Sequence, residues 1–428
     1  MRKHLIATFV GLIGLSLAAQ AHAAWVRTWA ASPEPPTPTG GRFPGSPSFE
    51  NQTLRQVVRI SAGGHSVRVL LTNEYGSKLL RIGAAHIAVS GADGAIRQDT
   101  DHVLLFGGLP TATVPAGAPL LSDPIDMAVP ALSRLAISLY LPEATGPCTC
   151  HGWSDQTLYV ADGSDQTGAA SIPGQTGRFA GPRAFLSGVD VDTSSAVHTV
   201  VMLGDSITDG VGATTNLNHR WPDQLADLLD ASGDKWGIAN QGISGNRILR
   251  DGAAQNALAR FDRDVLAAPG VSAVVVFEGV NDLGRGAPPP SDGAPTFGPA
   301  EPVTAEAMMA GYRQLIARAH ARGMKIYGAT IAPYKGASYW SPEGEAMRKT
   351  INAWILGSGA FDGVVDFDAA LRDPADPAQI RAGYHAGDHL HGSDAGYKVM
   401  ADAIYRSLFA PKTLGLIHFK AAEHKGER

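Results

Sequence analysis

The sequence predicts two consecutive domains, an all-β sandwich or jelly roll followed by an α/β domain with a doubly wound parallel sheet. Residues up to about 195 show short β-type runs separated by Gly- and Pro-rich turns, without a long helical period. From Val197 onward, apolar runs alternate with amphipathic stretches, which is typical of a parallel sheet covered by helices on both faces. The chain of 428 residues is also longer than a single core usually covers.

The first 23 residues have the pattern of a secretory signal peptide. Arg2 and Lys3 form a charged start, residues 5–19 are apolar, and Ala21-His22-Ala23 is a small-residue cleavage site. The apolar stretch is shorter than the roughly 20 residues that a membrane-spanning helix requires. We therefore expect segment 1–23 to be cleaved and the protein to be secreted or periplasmic, without a membrane anchor.

Residues 24–195 are assigned to the first domain. Its clearest strand-like runs are at 54–60, 66–72, 80–89, 102–106 and 132–141. Gly63-Gly64 lies between the first two runs, as a hairpin would require. A short polar linker is expected at about 189–196.

Residues 196–411 are assigned to the second domain, and residues 412–428 to a short polar tail. The predicted strands are at 199–203, 236–240, 272–277, 325–331 and 363–367, and the predicted helices at 222–231, 254–267, 304–322, 341–356 and 395–408. Ser341-Pro342 is a suitable cap and first turn for the fourth of these helices.

The composition argues against nucleic acid and anionic lipid as partners, and the spacing of the two cysteines allows three interpretations. A net charge of -5 and a pI near 6.3 provide no basic field for nucleic acid or anionic lipid, so a small neutral substrate fits better. Cys148 and Cys150 flank Thr149 and precede His151. A local disulfide, a free thiol pair and a metal-binding pair all remain compatible with that spacing.

Gly204-Asp205-Ser206 follows the first apolar run of the second domain and presents a candidate nucleophile. A serine hydroxyl needs a base, a group that orients the base, and donors for the developing oxyanion. Later segments at 240–247, 279–282 and 388–391 contain these residue types. Ser206, Gly245 and Asn281 each follow one of the first three strands, so they should meet at one edge of the sheet.

These four segments resemble the signature blocks of the SGNH/GDSL hydrolase superfamily, which contain a serine, a glycine, an asparagine and an Asp-x-x-His pair in this order. The resemblance covers about residues 198–410. It implies a flavodoxin-like sheet order and a serine esterase without a cofactor. The roles it implies are Ser206 as nucleophile, His391 as general base, Asp388 as the residue orienting it, and an oxyanion hole of Ser206, Gly245 and Asn281.

Two departures from known patterns bear on the chemistry. Residue 208 is Thr, so the segment is not the Gly-x-Ser-x-Gly elbow of the α/β-hydrolases. Residue 389 is His where the superfamily most often has Gly, which creates a group with His385 and His391. Gly383 and Gly387 indicate a loop rather than a metal-binding helix, so we expect no metal and place His389 at the cleft or in solvent.

Three further residues are candidates for a substrate pocket: Arg247, Tyr334 and Trp340. Arg247 is equally suited to bracing its own loop, and core packing is an equal alternative for the two aromatic residues. The two-part layout and the segment 220–223 resemble a subgroup of xylan-associated, arylesterase-like acyl hydrolases. This implies an acetylesterase acting on small or polysaccharide esters. The first domain lacks every catalytic segment, so we predict that it packs against the second domain and shapes substrate access.

Two alternatives remain. A lysophospholipase or thioesterase would use the same residues on another ester. A non-catalytic carbohydrate-binding protein would keep the cleft without turnover, but the presence of Ser206, Asn281, Asp388 and His391 together argues against it.

Overall fold

The computed structural model describes residues 24–39, 45–175, 181–193, 197–285 and 303–410. The expected signal peptide, 1–23, and the expected tail, 412–428, lie outside the described residues. The described helices include none with the length and apolarity needed to cross a membrane.

The first domain is built from antiparallel strands. In chain order they are β1 (Ala24–Ala30), β2 (Gln52–Arg59), β3 (Gly64–Thr72), β4 (Leu80–Ile82), β5 (Ala84–Val89), β6 (His102–Val103), β7 (Ala112–Val114), β8 (Pro119–Leu121), β9 (Ile125–Val129), β10 (Arg134–Leu141), β11 (Cys150–Gln156), β12 (Leu158–Asp162), β13 (Gly174–Gln175), β14 (Gly181–Ala184) and β15 (Leu186–Thr193). Short 3-10 turns at Ala92–Gly94 and Gln98–Thr100 follow β5.

Two sheets of this domain enclose one apolar core. The first has the order β1-β15-β3, with β8 and β9 both paired to β3, and the second has the order β13-β12-β2-β10-β5-β6. Val69 and Val189 from the first sheet and Leu54 and Ile137 from the second are all fully buried in the same cluster. The predicted β-rich first domain is therefore present as two packed sheets.

Three local predictions in this domain are wrong. Gly63-Gly64 does not close a hairpin, because β2 and β3 belong to different sheets and the glycines carry the chain from one sheet to the other. A Cβ atom at Gly63 would lie 2.4 Å from the Val129 carbonyl oxygen, so this crossing requires glycine. The run at 80–89 is divided between β4 and β5 in separate sheets. Residues 189–193 of the expected linker belong to β15.

The second domain has the predicted flavodoxin-like order. Its strands β16 (His198–Gly204), β17 (Trp236–Gly242), β18 (Val271–Phe277), β19 (Lys325–Ala329) and β20 (Gly363–Val365) are all parallel and lie in the order β17-β16-β18-β19-β20. The strand order reverses at β16, where an α/β sheet binds its ligands beyond the carboxyl ends of the strands.

The helices of the second domain are α1 (Ser206–Asp209), α2 (Trp221–Ser232), α3 (Ala257–Phe261), α4 (Val280–Arg285), α5 (Ala305–His320), α6 (Pro342–Gly357), α7 (Phe367–Leu371) and α8 (Asp394–Ile404), with π turns at Asp262–Leu266 and Tyr405–Phe409 after α3 and α8. The predicted cap of α6 is confirmed, since the Ser341 hydroxyl accepts a hydrogen bond from the Gly344 N–H.

The two domains are joined by buried hydrogen bonds. The Arg27 N–H of β1 donates to the Thr199 hydroxyl at 2.9 Å and to the Pro269 carbonyl at 3.0 Å. The Ser32 hydroxyl lies 2.6 Å from the Gln241 amide oxygen and 2.8 Å from the Asp264 carboxylate. The start of the described chain is thus fixed to the second domain as well as to the first.

Candidate active site

Ser206, His391 and Asp388 form a continuous chain of hydrogen bonds. His391 Nε2 lies 2.8 Å from Ser206 Oγ, and His391 Nδ1 lies 2.5 Å from an Asp388 carboxylate oxygen. The other Asp388 oxygen accepts backbone N–H bonds from Leu390 and His391, both at 3.0 Å. The pair therefore closes one short turn, and the imidazole bridges the carboxylate and the serine.

The electrostatics of this turn keep Asp388 ionised. Partial burial alone would raise its pKa, but the hydrogen bond and charge of His391 and the two backbone donors outweigh burial and hold the pKa well below its usual range. A carboxylate that stays charged can stabilise an imidazolium on His391.

Ser206 is positioned by the connection between β16 and α1. It is the first residue of α1, and the preceding Asp205 caps this helix by accepting a hydrogen bond from the Ile207 N–H at 2.9 Å. A Cβ atom at Gly204 would lie 2.2 Å from the Thr208 hydroxyl oxygen, so the chain turns sharply into the helix only with glycine there. Ser206 is 6% exposed.

The candidate oxyanion donors lie on three adjacent loops. The Ile243 N–H donates to the Gly204 carbonyl at 3.0 Å, and the Asn281 amide donates to the Asn246 carbonyl at 3.0 Å, which brings the loops after β16, β17 and β18 together. In the described part of the chain, the backbone N–H groups of Ser206 and Gly245 have no protein acceptor.

Asn281 is held in one orientation. Its amide oxygen lies 3.3 Å from the Tyr339 hydroxyl, and with the amide nitrogen directed at the Asn246 carbonyl this network assigns oxygen and nitrogen. One amide hydrogen remains for a ligand. Asn281 is 3% exposed, so a group that reaches it enters a confined space.

Buried acidic side chains lie next to the loops that carry the candidate oxyanion donors. Asp282 accepts the Ile248 and Leu249 N–H groups at 2.9 and 3.2 Å and so fixes the loop that carries them. Burial raises the pKa of Asp282 to about 6 and that of Asp205 to about 7. Sequence reasoning missed Glu278, which follows the apolar strand β18; its only signal is an acid at the end of an apolar run.

Glu278 is a third buried acid near these loops. Its two carboxylate oxygens are buried without a hydrogen-bond partner among the described residues, and Arg260 approaches no closer than 3.7 Å. Burial, followed by repulsion from Asp205, raises its pKa well above the usual value. The buried site therefore favours the protonated form of Glu278.

The first domain contributes a histidine to this region that no motif predicted. His151 Nε2 lies 2.9 Å from Asp209, and the second Asp209 oxygen accepts a 2.8 Å bond from the Ser244 hydroxyl. Asp209 is three residues from Ser206, and Ser244 precedes Gly245. His151 thus contacts a carboxylate that links two loops bearing candidate oxyanion donors.

The surroundings of His151 favour its charged form. Burial opposes the charge, but the Asp209 carboxylate and its hydrogen bond, the Glu34 charge and a bond to the Ser32 carbonyl outweigh burial and raise the pKa to about 9. Cys148 and Cys150, directly before His151, form a disulfide, which selects one of the three alternatives compatible with their spacing.

The same strand, β11, brings a second ionisable group of the first domain toward the site. Burial raises the pKa of Asp155 to about 6, while the charges of Arg220 and, more weakly, His391 lower it. The first domain thus contributes two ionisable side chains, His151 and Asp155, from a single strand.

The residues predicted for a substrate pocket have different environments. Tyr334 is 0% exposed and packs against Tyr339 with ring centroids 6.0 Å apart, which favours core packing, the second of the two alternatives that the sequence left open. Trp340 is half-buried against that core. Arg247 donates to the Asp251 carbonyl and braces its own loop.

His385 and His389, beside the site, stack on each other and hold their loop by hydrogen bonds. His389 has a φ of 59° and stacks on His385 with ring centroids 4.3 Å apart. His385 Nδ1 accepts the N–H groups of Gly387 and His389 at 3.1 and 3.2 Å. Across the ranges that the structure describes, no three His, Cys, Asp or Glu side chains are arranged to hold a metal ion.

Comparison with known proteins shows that part of the chain matches a known family. Residues 202–399 match the model of the GDSL-like lipase/acylhydrolase family. No curated protein is detectably similar to the chain.

Solved structures that are similar to this chain include three bacterial proteins. A putative lipolytic protein of the G-D-S-L family from Desulfitobacterium hafniense is 22% identical, with a TM-score of 0.35, over 49% of this chain and 98% of its own. An acetylxylan esterase from Geobacillus stearothermophilus is 23% identical, with a TM-score of 0.38, over 49% and 93%. A GDSL-like lipase from Bacteroides thetaiotaomicron is 19% identical, with a TM-score of 0.35, over 49% and 86%.

The family match spans the candidate nucleophile and the Asp-x-x-His turn, and the parallel sheet that carries them has the order expected of this superfamily. Residues 202–399 therefore form a hydrolase domain of the GDSL-like lipase/acylhydrolase family, and the protein is a carboxylic ester hydrolase.

Proposed function

We propose that this protein is an exported serine esterase that removes short acyl groups, in particular acetyl groups on carbohydrates, through an acyl-Ser206 intermediate. The observation that carries the proposal is the chain of hydrogen bonds from Ser206 through His391 to Asp388. The proposal uses no metal or cofactor.

In the first half of the reaction, His391 Nε2 takes the Ser206 proton as Oγ attacks the ester carbonyl carbon. The tetrahedral intermediate collapses when the bond to the alcohol oxygen breaks, and His391 returns its proton to that oxygen. In the second half, His391 takes a proton from water, hydroxide attacks the acyl-serine, and the carboxylic acid leaves as Ser206 regains its proton. Asp388 keeps the imidazole oriented and stabilises its charged form.

The oxyanion of each tetrahedral intermediate is held by the N–H groups of Ser206 and Gly245 and by the Asn281 amide. These donors are fixed before substrate binds, because Asn281 is held by Asn246 and Tyr339. Preorganised donors of this kind act on the transition state, where charge develops on the carbonyl oxygen.

Confinement around the nucleophile favours a small acyl group. Ser206 and Asn281 are both nearly buried, and the Tyr339 hydroxyl donates a hydrogen bond to the Asn281 amide oxygen. Tyr339 packs so closely on Gly284 that a Cβ atom there would lie 2.0 Å from its ring. An acetyl group fits such a space more readily than a long lipid chain.

Export is supported by the disulfide between Cys148 and Cys150, because such bonds persist mainly in oxidising compartments. The signal-like pattern of residues 1–23 points to the same location.

The test is a panel of nitrophenyl esters of increasing acyl length, together with an acetylated xylo-oligosaccharide, assayed with the wild type and Ser206→Ala. We expect kcat/KM to be greatest for acetate and to fall with chain length, and acetate to be released from the oligosaccharide. Highest activity on long acyl chains would instead support a lysophospholipase. Turnover that survives Ser206→Ala would refute the acyl-serine mechanism.

A further inference from the structure

A cavity of about 50 Å³ lies between the two domains. The first domain lines it with Trp29, Arg59 and Arg183, and the second domain lines it with Asp209, Arg220 and Asp223. We call it the interdomain cavity. Its wall includes Asp209 but none of the three residues proposed for acyl transfer.

Most charged groups in this wall have partners. Arg220 donates from Nε to the Asp209 carbonyl at 2.8 Å, forms an ion pair with Asp223 at 3.3 Å and also donates to the Ser154 carbonyl. Arg59 pairs with Asp227 outside the cavity.

The Asp209 carboxylate is engaged by His151, which also lines the cavity, and by Ser244. Both carboxylates of the wall, on Asp209 and Asp223, are therefore already neutralised.

Arg183 is the exception. It extends from β14 and is 5% exposed, and its side chain forms no hydrogen bond or ion pair with any residue that the structure describes; its guanidinium carbon lies 5.5 Å from the centre of the Trp29 ring. Burial, with repulsion from Arg220, lowers its pKa to about 9. A buried guanidinium has five donors to satisfy, and leaving them unpaired is costly.

Helix α2 adds to the positive potential. It is 12 residues long and begins at Trp221, and its first-turn residues Pro222 and Asp223 form part of the cavity wall. The amino end of a helix carries partial positive charge and exposed N–H groups. Asp223 in this turn is paired with Arg220; its charge also attracts Arg183, but it forms no hydrogen bond or ion pair with that guanidinium.

We propose that the interdomain cavity binds a small oxyanion, with the Arg183 guanidinium as its principal ligand. Phosphate and short carboxylates, including the acid that ester hydrolysis releases, share the oxygen geometry that arginine binds in a bidentate manner. Because the wall comes from both domains, the bound anion stabilises their packing against each other beside His151 and Asp209.

The proposal is tested by thermal unfolding of the full chain in rising phosphate, acetate or sulfate, with chloride at matched ionic strength as the reference, and by calorimetric titration with the same anions. Above its dissociation constant, each tenfold rise in a bound anion should increase the folded-to-unfolded ratio about tenfold. The arm with the largest effect identifies the preferred oxyanion.

Arg183→Met should lose both the thermal response and the calorimetric signal, while in anion-poor buffer it should be at least as stable as the wild type because an unpaired buried charge is removed. Arg59→Met is the matched control, since Arg59 lines the same cavity but is already paired, and it should keep the response. If Arg183→Met does not fold, Arg183→Lys should bind the anion at least tenfold more weakly. An unchanged response in the Arg183 variant that folds, or no binding by the wild type, would overturn the proposal.

Discussion

Replacing His151 with Gln should remove a pH-dependent part of the stability of this protein. His151 is buried between Asp209 and Glu34, and these carboxylates favour its protonated form despite the cost of burial. Its pKa is about 9 in the folded chain and about 6.5 when unfolded. Because the folded-state pKa is raised, the contribution is complete below about pH 6.5 and is lost as the pH rises through about 9.

The expected magnitude follows from this difference in pKa. A shift of about 2.5 pKa units corresponds to about 3 kcal/mol, since each unit is worth about 1.4 kcal/mol. The advantage of the wild type over His151→Gln in the free energy of unfolding should therefore shrink by about 3 kcal/mol between about pH 6 and pH 9.5.

The measurement is urea unfolding of both proteins, followed by tryptophan fluorescence at several pH values in that range. His86→Gln is the matched control, because it removes a half-buried histidine paired with Asp101 within the first domain, away from the second. A difference between the wild type and His151→Gln that stays constant with pH would show that His151 is not a buried cation, and would refute the reasoning.

Three further substitutions test the site. Asp388→Asn should lower kcat by as much as about 10⁴-fold through loss of imidazole orientation, less than the roughly 10⁶-fold expected of Ser206→Ala, and a pre-steady-state assay with an unchanged rate would remove Asp388 from the mechanism. Asn281→Ala should lower kcat by about 10²–10³-fold with little change in KM. A defect in KM alone in steady-state kinetics would instead show that the amide contributes to substrate binding and not to stabilising the transition state. Glu278→Gln should fold and act like the wild type at neutral pH, because burial already favours the protonated carboxyl. Since the folded-state pKa is raised, the variant should become the more stable of the two in urea as the pH rises from about 4.5 toward the raised pKa; marked destabilisation at pH 7 would argue that Glu278 is ionised.

The parts that sequence reasoning predicted depend on local pattern. Alternating apolar runs and amphipathic stretches define the parallel sheet, and once the sheet order is known the loops bearing Ser206, Gly245 and Asn281 must meet. Asp388 and His391 are three residues apart, so one turn determines their contact.

The parts that were missed depend on long-range packing. The bond from His151 to Asp209 joins residues 58 positions apart on different domains, and neither has a motif. The burial of Tyr334 and the crossing at Gly63-Gly64 follow from which surfaces face each other in three dimensions. A periodic sequence pattern predicts a buried face or a turn, but it does not predict which distant residues pack against that face or turn.

The first residues of the described chain are synthesised long before the partners that anchor them. Strand β1 pairs with β15, so it waits until residue 193 exists, and Arg27 further requires Thr199 and Pro269. The Ser32 bond to Gln241 spans 209 positions. A nascent chain therefore exposes an unpaired strand until nearly half of the 428 residues have been made, which is a period of risk for aggregation and for pairing with the wrong strand edge. The beginning of the described chain consequently packs onto strands and loops that are synthesised after it.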